Sequence, residues 1–181
     1  MKLTLIVVAI ALVAFVGWVQ SRPGRLHVER AARMEAPGDA VFPHLVDFRR
    51  WPAWSPYDRR DPAMQRSYEG PPSGVGAVYR WNGNADVGEG SARIVDVAPG
   101  RRVVIALDFV RPMKASNTAT FTLVPDDRGT RVTWAIDGTP GFLAKLMGTF
   151  MDMDRMIGGD FEQGLASLKG LVERAPVEGG V

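Results

Sequence analysis

Cysteine is absent from the 181 residues of this chain. That excludes disulfides, thiolate nucleophiles, Cys-ligated zinc and iron–sulfur clusters together. Histidine is nearly absent too, with only His27 and His44, so a multi-histidine metal site cannot be assembled. An excess of one charge is also missing. The net charge is +2, from 22 Lys and Arg against 20 Asp and Glu, which is too small to argue for a nucleic-acid surface. There is no Gly-x-Ser-x-Gly elbow and no phosphate loop carrying Lys-Ser/Thr. Gly74-Val75-Gly76 and Gly88-Glu89-Gly90 open no helix and read as turns or strand bends. No internal repeat or low-complexity segment occurs, and nothing calls for a metal or a cofactor.

What is present is the composition of a folded protein, 46% hydrophobic and 23% charged, in one domain of ordinary size plus an N-terminal addition. The addition is the stretch from Leu3 to Val19, which carries no charge and only Thr4 as a polar interruption. It sits near the lower limit for crossing a bilayer. Lys2 precedes it, Arg22 and Arg25 follow, and Trp18 lies at its interfacial end. The exit, Val16-Gly17-Trp18-Val19-Gln20, is a poor signal-cleavage site. The expectation is an uncleaved transmembrane anchor over 1–20, a linker over 21–25, and a membrane location. The side of the membrane stays open. Arg22, Arg25, Arg30 and Arg33 favour a cytoplasmic domain by the positive-inside tendency, whereas ordinary signal-anchor behaviour would export it.

The remainder alternates between strand and helix signals. Leu26–Met34 reads as a first strand. Ala36-Pro37-Gly38-Asp39 starts a helix whose buried face is Val41, Phe42, Leu45 and Val46. Phe48-Arg49-Arg50-Trp51-Pro52-Ala53-Trp54-Ser55-Pro56 is cut by its prolines into a second short helix and a loop. Six strands follow, over 64–69, 76–82, 87–97, 102–109, 116–124 and 130–136. Their alternation puts Val103, Ile105, Leu107 and Phe109 on one face, as it does Ala119, Phe121 and Leu123, then Val132, Trp134 and Ile136. After Gly138-Thr139-Pro140-Gly141 comes one apolar-periodic segment to about Arg174. Phe142, Leu146, Phe150, Ile157, Phe161, Leu165, Leu168 and Val172 make its stripe. Gly158-Gly159 inside it is read as close packing or a kink, with a lid hinge as the functional alternative. Residues 175–181 read as an unstructured tail.

This order resembles the helix-grip fold of the START-like (SRPBCC) superfamily. Local sequence resembles its bacterial polyketide cyclase/dehydrase-type branch. The resemblance rests on Ala36-Pro37 with Val41-Phe42, on Phe48 through Pro56, on Gly74-Val75-Gly76 with Tyr79-Arg80-Trp81, on Gly129-Thr130-Arg131-Val132-Thr133-Trp134 and on Asp160 through Lys169. It spans about residues 26–174. It implies an α+β helix-grip fold: a curved antiparallel sheet of about seven strands wrapped around a long C-terminal helix, with two short helices after the first strand. It also implies a cavity between sheet and helix.

The candidate cavity lining is Trp54, Tyr57, Tyr79, Trp81, Phe109, Phe121 and Trp134 from the loop and sheet. From the long segment it is Phe142, Leu146, Met147, Phe150 and Met151. Each of these could equally fill a core. His44 and Arg80 are the polar rim candidates, and no spacing enforces a catalytic acid–base pair. Arg49, Arg50, Arg59, Arg60 and Arg66 form a basic cluster, either a solvated surface or a contact for anionic headgroups. The expected function is a membrane-anchored, non-catalytic domain that binds a lipid or other hydrophobic small molecule. A polyketide cyclase/aromatase-like enzyme and a co-chaperone-like interaction domain are the alternatives. No nucleic-acid partner is expected, and the oligomeric state is open.

Overall fold

A computed structural model describes residues 2–21, 24–148 and 152–174, with backbone only at 3, 9, 142 and 143. After the N-terminal helix α1 (Lys2–Gln20) come β1 (Leu26–Met34), α2 (Gly38–Val46), a 3-10 helix (Phe48–Ala53) and α3 (Pro56–Arg60). Six strands follow: β2 (Gln65–Glu69), β3 (Val78–Asn82), β4 (Glu89–Ala98), β5 (Arg102–Arg111), β6 (Ala115–Asp126) and β7 (Gly129–Gly138). Two helices, α4 (Phe142–Met147) and α5 (Met153–Val172), complete the described chain. The strands form one antiparallel sheet in the order β1-β7-β6-β5-β4-β3-β2. Register shifts at Glu89/Gly90 and Ile94/Asp96 interrupt the β4–β5 ladder, and such irregularities bend and twist a sheet.

Period-two alternation decides which face is buried. Ala92 and Ile94 on β4, Val103 and Ile105 on β5, Phe121 and Leu123 on β6, and Val132, Trp134 and Ile136 on β7 are all buried. The helix laid across that face is α5. Its buried Phe161, Leu165, Leu168 and Val172 recur at helical spacing. Polar contacts fix its rotation. Arg30 of β1 donates to Asp154 and to Glu162, both at 2.8 Å. Lys169 donates to the Arg33 carbonyl at 2.9 Å, and the Glu35 backbone N–H donates to Glu173 at 2.6 Å. Arg60 of α3 pairs with Asp160.

The single long C-terminal helix is two helices. Periodicity carries through a break without recording it, but the terminal residues do record it. Gly148 follows α4, and Asp152 caps α5 by accepting from the Arg155 N–H at 2.9 Å, the arrangement that starts a new helix. α5 runs unbroken through Gly158-Gly159. Gly158 is a close-packing position: a Cβ there would overlap the Arg30 guanidinium.

The expected transmembrane span is not supported. Among the described residues no helix is long and apolar enough to cross a membrane. At a rise of about 1.5 Å per residue, α1 reaches about 28 Å, short of the roughly 30 Å hydrocarbon core, and polar Lys2 and Gln20 occupy its ends. Its surface is nevertheless apolar, with Leu5, Ile10, Leu12 and Val13 all exposed. The end of α1 meets α4, where Lys145 donates to the Gln20 carbonyl at 3.2 Å and Val19 is buried.

The two neighbouring glycines separate packing from propensity. No atom lies within 4 Å of a Cβ at exposed Gly159. Gly159→Ala therefore raises stability by about 1 kcal/mol, a Tm gain of about 2–4 °C. Gly158→Ala gains the same propensity but must push Arg30 off Asp154 and Glu162, so its gain is smaller or negative. Thermal denaturation of the two variants side by side checks the order.

Candidate ligand-binding site

Between α5 and the concave face lies a cavity of about 120 Å³. Its lining is almost wholly apolar. Trp51 and Tyr57 enter from the 3-10 helix and α3, and Met64 precedes β2. Tyr79, Trp81, Val87, Leu107, Phe109, Ala119, Trp134 and Ile136 come from the sheet side, and Phe161 from α5; Ser55 and Asp58 are the polar members.

The aromatic rings form a connected wall. Tyr68 stacks on Tyr79 at 5.5 Å between centroids, and Tyr79 stacks on Trp81 at 5.6 Å. Trp51 lies 6.3 Å from Tyr79 and 5.5 Å from Trp54. Trp54 meets Trp134 edge-on at 5.6 Å. Trp134 lies flat on Phe161, at 4.1 Å and 10°. Gly164 on α5 makes this fit possible, since a Cβ there would stand 2.8 Å from the Trp134 ring. Aromatic pairs of this kind contribute about 0.5–1.5 kcal/mol each beyond area burial.

The polar corner is neutralised. Asp58, 5% exposed, accepts from Arg66 Nε at 2.7 Å. Burial, reinforced by the nearby Asp58 carboxylate, pushes the Tyr79 phenol far above its usual range. Its hydroxyl therefore keeps its proton and acts as a donor. Burial and then Asp160 do the same to Tyr57, whose ring lies 5.5 Å from the Arg60 guanidinium carbon. Among the described residues three buried side-chain polar atoms have no hydrogen-bond partner: His44 Nδ1, Tyr79 OH and Trp134 Nε1. The last two belong to lining residues.

With this architecture in place, relatives become interpretable. The sequence profile described as polyketide cyclase / dehydrase and lipid transport matches residues 25–173. The chain belongs to that family. No curated protein matches it. Solved structures of similar fold include protein CV1439 from Chromobacterium violaceum, 18% identical, covering 83% of this chain and 98% of the other at a TM-score of 0.59. The Aha1 dimer from Colwellia psychrerythraea is 14% identical, with 83% and 98% covered and a TM-score of 0.59. DynU16, from the dynemicin biosynthetic locus, is 19% identical, with 82% of this chain and 47% of the other covered and a TM-score of 0.58. At these identities the likeness is one of fold.

Within this family member the residues singled out from sequence separate into groups. Tyr57, Tyr79, Trp81, Phe109 and Trp134 line the cavity. Trp54 and Phe121, both fully buried, lie behind it in the core, and Trp54 Nε1 donates to the His44 carbonyl at 3.2 Å. Leu146 and Met147 sit on α4, which contacts α1, and neither is among the described lining residues. The Phe142 side chain, Phe150 and Met151 lie outside the described residues. His44 and Arg80 are away from the cavity. Arg80 alternates to the outer face of β3 and pairs there with Glu69 at 2.8 Å, as its place between inward Tyr79 and Trp81 dictates.

The basic cluster is largely spent inside the domain. Arg50 pairs with Asp47, Arg60 with Asp160 and Arg66 with Asp58, while Arg59 donates to Ser167 and Arg49 to the Pro72 carbonyl. Asp58, Met64 and Val87 were not singled out from sequence. Asp58 had a signal, an acidic residue in the first turn of a helix opened by Ser55-Pro56, but nothing local showed that it faces inward.

Two outcomes follow from the electrostatics. Arg66→Met leaves the Asp58 carboxylate buried without its partner and lowers stability by about 3–5 kcal/mol, much of it restored by adding Asp58→Leu; urea denaturation of the single and double variants measures this. Burial, with help from Arg50, holds the His44 imidazole below its ordinary value of 6.5. The unfolded chain then binds a proton that the folded chain refuses, so stability falls as pH drops below about 6.5. His44→Gln removes that part of the slope between pH 7 and 5 in a denaturation series.

Proposed function

We propose that this domain binds a compact hydrophobic small molecule in the cavity beneath α5 and performs no chemistry on it. The observation that carries the reading is the aromatic-lined cavity of about 120 Å³. Its size favours a compact ligand. A cavity of roughly 150 Å³ takes benzene, while drug-sized ligands need about 300–1,000 Å³. The polar groups at the wall support a binding role over a catalytic one. Asp58 is committed to Arg66, and Tyr57 and Tyr79 are held too far above neutrality to act as bases. A family described by both cyclase/dehydrase activity and lipid transport accommodates this reading.

The proposal extends to the location of the domain. Between its polar ends the described side chains of α1 are largely apolar and exposed, a surface that water does not favour. We assign α1 the role of holding the domain against a lipid bilayer, beside a reservoir of apolar molecules.

Uptake is testable by tryptophan fluorescence, since Trp51, Trp81 and Trp134 line the cavity. Benzene quenches the full-length protein saturably. Ala119→Leu, which fills the cavity from the β6 side, abolishes saturable quenching without loss of fold by circular dichroism. Quenching that survives this substitution would place the probe elsewhere and remove the reading. In cell fractionation the full chain sediments with membranes through a high-salt wash and is released by detergent. A chain starting at Gly24 stays in the supernatant if α1 is the attachment.

A further inference from the structure

The outer face of the sheet matches its charges strand by strand. His27 stands opposite Asp137 and bonds to it at 2.8 Å. Glu89 stands opposite Arg111, again at 2.8 Å. Asp108 accepts from Ser116, its neighbour on β6, at 2.6 Å. One pair breaks the pattern. Arg33 of β1 lies directly opposite Arg131 of β7, and like charges so placed destabilise a sheet. Arg33 has Asp126 as a partner at 3.2 Å. Among the described residues the exposed Arg131 side chain has neither an ion pair nor a hydrogen bond.

The surroundings of Arg131 add positive charge and one apolar side chain. On its other side β6 places Val124 directly opposite, 50% exposed. The Leu123 N–H donates to the Arg101 carbonyl at 2.7 Å, which brings the β4–β5 turn and exposed Arg101 beside that strand. Exposed Arg128 stands in the turn that joins β6 to β7. Asp126, held by Arg33, and Asp127 are the acids of that turn. We propose that this row is a docking surface for an acidic segment of a partner protein. Its carboxylates sit on Arg131 and Arg33, whose guanidinium forks suit bidentate pairing, and an apolar side chain covers Val124. Nucleic acid fits less well, because a backbone charged at every step would meet Asp126 and Asp127 as well as the arginines. A bilayer reached through α1 lies elsewhere: the chain comes from α1 to Leu26, about 23 Å along β1 from Arg33. The surface shares no residue with the described cavity lining, so the two readings fail independently.

The probe is a fluorescein-labelled decaglutamate peptide, titrated with the full-length protein in nonionic detergent at low ionic strength and followed by fluorescence anisotropy. It should bind saturably and weaken as salt is raised. Arg131→Thr should weaken it at least about fivefold, while Arg93→Thr, the same loss of charge on β4, should change it little. Equal weakening by the two substitutions would show attraction to net charge alone and overturn the proposal, as would absence of binding. A DNA duplex bound more tightly than the peptide would overturn the choice of partner. The free protein gives a second readout. Arg131→Thr removes the like-charge pair and suits a strand, so its Tm should rise by about 1–4 °C. A fall would mean that Arg131 already has an anionic partner within the fold, and would also overturn the proposal.

Discussion

Trp134 lying flat on Phe161 joins the two layers of this domain, and much of the site follows from that contact. Trp134 stands at the centre of β7, whose neighbours are β1 and β6, so its position is fixed by the ladders on either side. Phe161 starts the buried stripe of α5. Gly164, one turn later, gives the indole the room that any side chain would take. The stack sets how closely the helix approaches the sheet. It also leaves the space that opens towards Tyr79, Trp81 and Phe109. Were the indole a smaller aliphatic group, α5 could settle onto the sheet and the space would close.

Polar groups play a restrictive part. Asp58 and Arg66 satisfy one another, Arg30 ties α5 to β1, and the arginines around α3 are committed to nearby carboxylates, a hydroxyl or a carbonyl. The consequence is a wall that is apolar in area and neutral in charge. Specificity in such a site comes less from attraction than from the cost of mismatch. An anionic ligand finds no free cation among the lining residues to offset its desolvation.

Element existence was legible in the sequence to a large degree, because the signals are local. The Leu26–Met34 strand is found where alternation and flanking turn residues put it, and Val132, Trp134 and Ile136 point inward as period two requires. The break between α4 and α5 was masked by a stripe whose spacing continues across it, although Gly148 and Asp152 marked it. For the cavity, the strand pattern separated inward Tyr79 and Trp81 from outward Arg80. It could not separate lining from core, because Phe121 and Trp134 share the same face and only three-dimensional neighbours tell them apart. Asp58 was the least legible, since its significance depends on Arg66 lying across a turn from it. The membrane span was read from an uncharged stretch, its flanking basic residues and Trp18, and among the described residues no helix is long and apolar enough to cross a membrane.

The pairing of β1 with β7 has a consequence for how the protein is made. Leu26 sits opposite Gly138, and Met34 opposite Thr130, so the first strand of the sheet waits for the last to be synthesised. The helix that covers the apolar face comes later still. At ordinary elongation rates of about 5–20 residues per second, the nascent chain carries an uncapped strand and an uncovered aromatic surface for several seconds. Closing such distant contacts is also slow by topology.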